Sequence, residues 1–477
     1  MGLLIKNGTI ISAVDEFVGD ILVEDEKIKE VGVNLSEEGH QVVDAAGKYV
    51  FPGGVDEHVH MGPFNSYSFE TSHAAVVGGT TTIVDFAPQF KGMGLIESKD
   101  KHNQERAEGV STADYSFHSM VMDTDDKLIA EIPHMAENGL AAVKFFMAYN
   151  GTAYHADDEL TFKAMQVARD HGITVMLHCE NGELIIELEK QLAKEGKTLP
   201  INWSYSRPPL VEDEATRRGI YLAELADCPA FIVHVTTEGA MNHIKEAQER
   251  GLSVYGETCT HYLILDESYL NTPDIEGAKF VCAPALRPKP HQEALWKAVR
   301  ENDLIAVSSD HAAYIGGFAA KSQFKFPNIP PGAPGMQDRL AMLWSQGVEK
   351  GRISRQRFVE LAATNPAKLA GLYPQKGVIS PGADADIVIF DPEYRGIITH
   401  KDSYEGTDYS TFEGFERIGI ADKVYLRGKL MAERGKLVGE KGNGQYIKAK
   451  PYGLAYQNFK KEAKEEVQKE VKELVHQ

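Results

Sequence analysis

The sequence predicts a (β/α)8 barrel that carries a small β-sandwich domain assembled from the N- and C-terminal segments. Two observations lead there. Eight short apolar β-type runs recur between residues 55 and 312, and amphipathic helical stretches separate most of them. Residues 1–50 and 376–445 instead share a texture of short strands and turns, and neither stretch is long enough to make a comfortable domain alone.

The strand runs, in order, are VDEHVHM (55–61), TTTIVDFA (80–87), DYSFHSMVM (114–122) and AAVKFFMA (141–148). TVMLHCE (174–180), AFIVHVTT (230–237), SVYGETCT (253–260) and IAVSSDHA (305–312) complete the eight. Helical periodicity is clear in 158–172, 213–227, 238–251 and 290–302, whereas the second and third helices are weakly marked. The expected division is a composite β-sandwich at 1–50 and 376–445, a barrel at 51–375 and a C-terminal helical tail at 446–477. Within the tail, 458–477 sets Val467, Val471, Leu474 and Val475 on one side of a charged helix, which suits either a solvated tail or an arm on a neighbouring subunit.

The chain has 477 residues, 43% of them hydrophobic, enough for a large core. Lysine and arginine total 50 against 70 acidic residues, and the formal charge of -20 argues against nucleic acid or an anionic membrane as partner. No apolar run reaches the roughly 18 residues of a membrane span, and the first residues, MGLLIKNGTIISAVDEF, lack the core of a signal peptide. Cys179, Cys228, Cys259 and Cys282 are scattered in apolar contexts typical of reduced core thiols. The expected location is cytoplasmic.

In such a barrel the chemistry lies at the C-terminal ends of the strands. His58 and His60 close the first strand one residue apart, so both side chains share a face. His178 ends the fifth strand, His234 falls near the end of the sixth and Asp310 near the end of the eighth. Singly, each is an ordinary buried polar residue. Together they converge on one barrel mouth, where imidazole and carboxylate ligands suit Zn, Mn, Fe or Co.

Lys144 stands alone in the apolar fourth strand, AAVKFFMAY (141–149). A buried ammonium without a partner costs several kcal/mol or loses its proton. One reading pairs Lys144 with an acid from a neighbouring strand. The other makes it a desolvated amine that takes up CO2, forming a carbamate with two oxygen arms that two divalent metals can share. The surrounding histidines and Asp310 favour the second.

The succession PGGVDEHVHM, GGTTTIVDF, KFFMAY, HCENGE, HVTTEGA, SSDHA and GVISPGADADIVIFD resembles the cyclic amidohydrolases, closest to their D-hydantoinase and dihydropyrimidinase branch. The resemblance runs from about residue 3 to about residue 445. It implies a dinuclear metal hydrolase that opens hydantoins or dihydropyrimidines to N-carbamoyl amino acids. It implies that His58, His60 and Asp310 hold the more buried metal, that His178 and His234 hold the second, and that N6-carboxylated Lys144 bridges them. Zinc is the implied metal, with manganese or cobalt substituting. Asp310 is implied to move the proton from the attacking water to the leaving nitrogen, and Tyr149 to donate a hydrogen bond to the developing oxyanion. Taken alone, Tyr149 also reads as a rim aromatic with its hydroxyl in water. The implied partner is a small cyclic amide or ureide, and the implied assembly is a homotetramer or homodimer.

Three features bear on the ring that is recognised. Relatives of this kind show Ser-Pro-Pro-Leu-Arg after the seventh strand, where this chain has APALR and Ala283 stands at the serine. They show Asn-Gly-x-Pro-Gly beyond the eighth, where this chain has PGAPG and Pro331 stands at the asparagine, without a backbone donor. The loop 61–73 carries Phe64, Tyr67 and Phe69, which suit an apolar substituent on the ring or simply cover the rim. Ala283 and Pro331 keep allantoinase, or another cyclic-imide or L-selective hydantoinase, as the alternative activity. A non-catalytic dihydropyrimidinase-like scaffold protein is a third reading, and the complete set of six ligand positions stands against it.

Overall fold

The structure is a computed structural model, and it describes residues 2–124, 127–457 and 459. Chain order begins with five strands outside the barrel: β1 (Leu3–Ile11), β2 (Glu16–Glu24), β3 (Lys27–Gly32), β4 (Gln41–Asp44) and β5 (Tyr49–Pro52). Eight barrel strands follow: β6 (Gly54–Val59), β7 (Thr80–Pro88), β8 (Asp114–Met120), β9 (Ala142–Phe146), β10 (Thr174–His178), β11 (Ala230–Ile232), β12 (Val254–Cys259) and β13 (Ala306–Ser308). The chain then returns outside the barrel as β14 (Ile387–Ile397), β15 (Glu416–Leu426), β16 (Lys429–Glu433) and β17 (Lys436–Leu437).

The barrel strands are hydrogen-bonded in sequence order, all parallel. A parallel bridge between Val59 and His311 joins the first strand to the last, and His60 N–H donates to His311 O at 2.7 Å. Strand alternation divides the core into two layers. Val143 and Phe145 of β9 pack outward among the helices. Ala142 and Phe146 pack inward with Phe86, Met120, Met176 and Phe231, and Leu454, Ala455 and Tyr456 join this inner cluster. The eight-strand expectation therefore holds, and the connecting helices begin and end where local chemistry asks. Asp157 caps Asp158–His171 by accepting from Leu160 N at 2.8 Å, and Gly172 closes it in the left-handed region at φ 66°. The weakly marked connections are broken ones: Leu95–His102 runs into a wider turn, and Lys127–Glu131 is followed by a 3-10 turn that contains Pro133.

The terminal strands form one sheet in the order β17-β16-β15-β14-β5-β1-β2-β3, with β4 beside β1. Its two halves meet where β5 and β14 pair antiparallel, Val50 opposite Ile389. Ile28 and Lys27 of β3 pair back onto 382–385, which closes the sheet round a core of Leu3, Ile5, Ile21, Val50, Ile387 and Ile389. After β17 the chain crosses the barrel: Tyr446 bridges Tyr115, and Tyr456 donates its hydroxyl to Ala168 O and Ile173 O. The charged stretch 458–477 lies outside the described residues apart from Phe459. No described helix is long and apolar enough to cross a membrane.

Candidate active site and metal centre

All ten candidate residues come together at the barrel mouth. A cavity of about 350 Å³ is lined by His60, Phe64, Lys144, Tyr149, His178, His234, Ala283, Asp310 and Pro331. His58 lies against it, its Nε2 3.0 Å from Lys144 Nζ and 3.2 Å from Asp310 Oδ1. His60 Nε2 is 3.3 Å from the same Asp310 oxygen. One donor atom each from His58, His60 and Asp310 lies within 4.8 Å of the others, the spacing of a metal-ligand set. His178 and His234 stack edge to face with ring centres 4.5 Å apart, and His234 is 5.4 Å from His58.

The backbone positions three of these residues at a cost. The sixth and eighth strands stop at Ile232 and Ser308, short of the expected ends, because His234 and Asp310 take positive φ, 42° and 46°. Tyr149, just beyond β9, does the same at 64°. Left-handed conformations in non-glycine residues cost on the order of 1–3 kcal/mol and gather at functional sites. Here each one turns a side chain back over the mouth after its strand has ended.

The electrostatics suit metal ligation. Burial, and then the Lys144 ammonium, hold His58 well below its ordinary pKa, and burial lowers His60 and His234 as well. These imidazoles are neutral, as ligands must be. Burial raises Asp310, but His58 and His60 outweigh it and keep the carboxylate ionised. His58 Nδ1 meets Glu257 Oε1 at 2.5 Å, an arrangement that orients the ring and points Nε2 at the cluster. Lys144 is 1% exposed, lies 4.3 Å from the Phe86 ring centre and is brought down to about 8 by burial. Among the described residues no carboxylate pairs with it, so the neighbouring-strand acid expected of a structural lysine is not there. The donor set fits a metal: the neutral imidazoles of His58, His60 and His234, one ionised carboxylate and one amine without a carboxylate partner surround one space.

Tyr149 is half-buried against Phe146, Tyr154 and His178, and burial, followed by Glu180, raises its pKa so that it stays a donor. Phe64 stands 5.6 Å from His60, ring centre to ring centre, and is 43% exposed at the rim.

A family model described as "Amidohydrolase family" matches residues 49–431. The D-hydantoinase of Geobacillus stearothermophilus is 42% identical over 462 residues, 95% of this chain and 98% of that protein. The chain belongs to the amidohydrolase family, in its D-hydantoinase and dihydropyrimidinase branch. The D-hydantoinase of Ralstonia pickettii is likewise 42% identical, covering 95% of this chain and 100% of that one. Among solved structures, the dihydropyrimidinase from Brevibacillus agri NCHU1002 superposes with a TM-score of 0.92 at 40% identity, covering 95% of this chain and all of that one.

Several residues of this amidohydrolase mouth escape a reading of the sequence alone. Tyr154, Pro327 and Ile329 line the cavity from loops and Trp203 from the short helix Asn202–Tyr205, all remote in the chain, and no local pattern marks them. Glu257 does carry a signal: it is an acid within a buried strand run, on the inward register.

Proposed function

We propose that this chain is a dinuclear metal-dependent hydrolase that opens the cyclic amide bond of hydantoins or dihydropyrimidines to N-carbamoyl amino acids. The observation that carries the reading is the convergence of His58, His60 and Asp310 within ligand distance of one another, with Lys144 Nζ 3.0 Å from His58 Nε2, at a cavity of substrate size. In this reading His58, His60 and Asp310 hold one metal, His178 and His234 hold the other, and carboxylated Lys144 serves both, with zinc, manganese or cobalt as the ion. Metals held there would supply Lewis acidity to the site.

The chain's own groups do the rest. Asp310, ionised at neutral pH, accepts the proton of the attacking water and passes it to the ring nitrogen as the C–N bond breaks. Tyr149 remains protonated and donates to the oxyanion that develops on the former carbonyl. Phe64, Tyr154 and Trp203 cover the ring substituent and exclude water. The chemistry belongs to 51–375, with 1–50 and 376–445 as an accessory sheet domain. The expected location is the cytoplasm, in keeping with four buried free thiols, and the expected assembly is a homotetramer or homodimer.

An assay of hydantoin, 5-phenylhydantoin, dihydrouracil and allantoin side by side tests the reading. Turnover of at least one of the first three is expected; none, in metal-loaded protein, would sink it. A second reading, allantoinase or another cyclic-imide or L-selective hydantoinase, has its own observation. Pro330 and Pro331 have no N–H, and Gly332 N–H is already given to Val281 O at 3.0 Å, so 330–332 offers the ring acceptors only. Turnover of allantoin alone selects it.

Tyr149→Phe should lower kcat by about 10²–10³-fold with metal content unchanged, the loss found when one oxyanion donor is removed. A kcat within about threefold of wild type would return Tyr149 to the rim.

A further inference from the structure

Two segments that line the cavity, one following β12 and one following β13, are joined by a buried lysine that the proposed chemistry does not use. Lys321 ends the short helix Gly317–Lys321 and is 0% exposed. Its Nζ donates to Val281 O at 3.3 Å and to Gly332 O at 2.8 Å. Val281 O also accepts from Gly332 N–H at 3.0 Å. Three hydrogen bonds thus stitch the segment ending in Ala283 to the segment containing Pro331.

Both ends of this clamp are themselves anchored. Asp408 accepts from Phe318 N and Ala319 N, at 2.6 and 3.1 Å, which fixes the helix that presents Lys321. Trp203 Nε1 donates to Cys282 O at 2.7 Å and fixes the residue before Ala283. Gly332 has φ +117°, and a Cβ there would come within 2.6 Å of Ala312 O, so that backbone can approach only as glycine. Pro330 and Pro331 contribute no donor, leaving Lys321 and the Gly332 amide as the donors that hold this segment to Val281.

A buried amine that meets only neutral carbonyls is costly, and a purely structural role is met more cheaply by an apolar side chain. We propose that Lys321 is a positioning residue for ring recognition: by bridging Val281 O and Gly332 O it sets the width of the cleft between Ala283 and Pro331 into which the planar cyclic amide fits. The proposal rests on the cyclic-amide reading above. Burial brings the Lys321 pKa down to about 7, and the neutral amine still donates two hydrogens, so the clamp holds in either protonation state.

The test is Lys321→Met in the metal-loaded protein, with kinetics and amide hydrogen exchange measured together. Expected are a rise in KM of about tenfold or more, kcat within about threefold and unchanged metal content. The Gly332 amide should exchange at least about tenfold faster while the amides of β9 keep their wild-type rates. Unchanged KM would overturn the proposal. So would faster exchange of equal size at Gly332 and in β9, which marks general destabilisation. If wild-type protein opens none of the four rings, the functional reading fails, and the Gly332 exchange by itself decides whether the clamp exists.

Discussion

Lys144→Ala is expected to lose turnover by on the order of 10³-fold or more, and to retain less metal than wild type. The side chain is 1% exposed, has no carboxylate partner among the described residues, and places its Nζ 3.0 Å from a candidate ligand, His58 Nε2. A lysine with no role beyond its charge should behave differently. Removing a buried, unpaired ammonium is neutral or stabilising apart from the cavity left behind, and leaves metal content alone. The bridging reading adds a signature that the structural one lacks. Acetate or propionate supplied with metal can furnish two carboxylate oxygens in the vacated space, so part of the activity should return. Full metal content with turnover within about tenfold of wild type would remove Lys144 from the site.

Lys376→Met should be the most destabilising single change. Lys376 Nζ lies 2.5 Å from Asp114, 2.9 Å from Asp384 and 2.8 Å from Asp386, and all four side chains are buried. Arg427 adds a second cation on Asp114. Asp114 opens β8 of the barrel, whereas 384–386 leads into β14 and Arg427 follows β15, so the cluster ties the barrel to the terminal sheet. Taking out its central cation leaves three carboxylates to share Arg427 and Lys27, at a cost of about 3–5 kcal/mol. Thermal melting should show a fall of several degrees in Tm; a shift within about 1 °C would contradict the account.

The pH dependence has a definite sign. Burial lowers the Lys376 pKa, but Asp386, Asp114 and Asp384 outweigh it and raise the value above the usual 10.5. That contribution is fully present below 10.5 and is lost as pH rises through the folded value. Burial raises Asp384, but Lys376 and Lys27 outweigh it and hold the group below the usual 3.8, so its contribution is present above that value and lost as pH falls through the folded one. The gap between wild type and Lys376→Met should therefore close as pH rises past 10.5, where the Lys376 contribution is lost, and as pH falls into the acid range, where the carboxylates around it take up protons.

Much of the site was legible because barrel geometry converts spacing into position. His58 and His60, separated by one residue, had to share a face, and Lys144 stood out as the one charge in an otherwise apolar strand run; the structure points it inward with Ala142 and Phe146. The ends of the sixth and eighth strands were not legible: the apolar pattern carries past His234 in the sixth, and nothing local in Ser308–His311 marks where the backbone turns left-handed at Asp310. Pro327 and Ile329 were invisible for another reason: they reach the cavity by loop placement, and Trp203 by the placement of a one-turn helix, neither of which local periodicity encodes. The pairing of β5 with β14 was anticipated only as a shared texture of the two ends, because register between segments more than 300 residues apart is set by the assembled core. The tail helix expected at 458–477 lies outside the described residues, Phe459 excepted.

The most direct test of the central claim is the electron density at Lys144 in crystals of protein purified without chelator and grown with zinc and bicarbonate. A planar three-atom group extending from Nζ, lying between two anomalous metal peaks, is the expected result. A bare amine at Nζ, with one metal peak or none beside His58, His60, His178, His234 and Asp310, would contradict it.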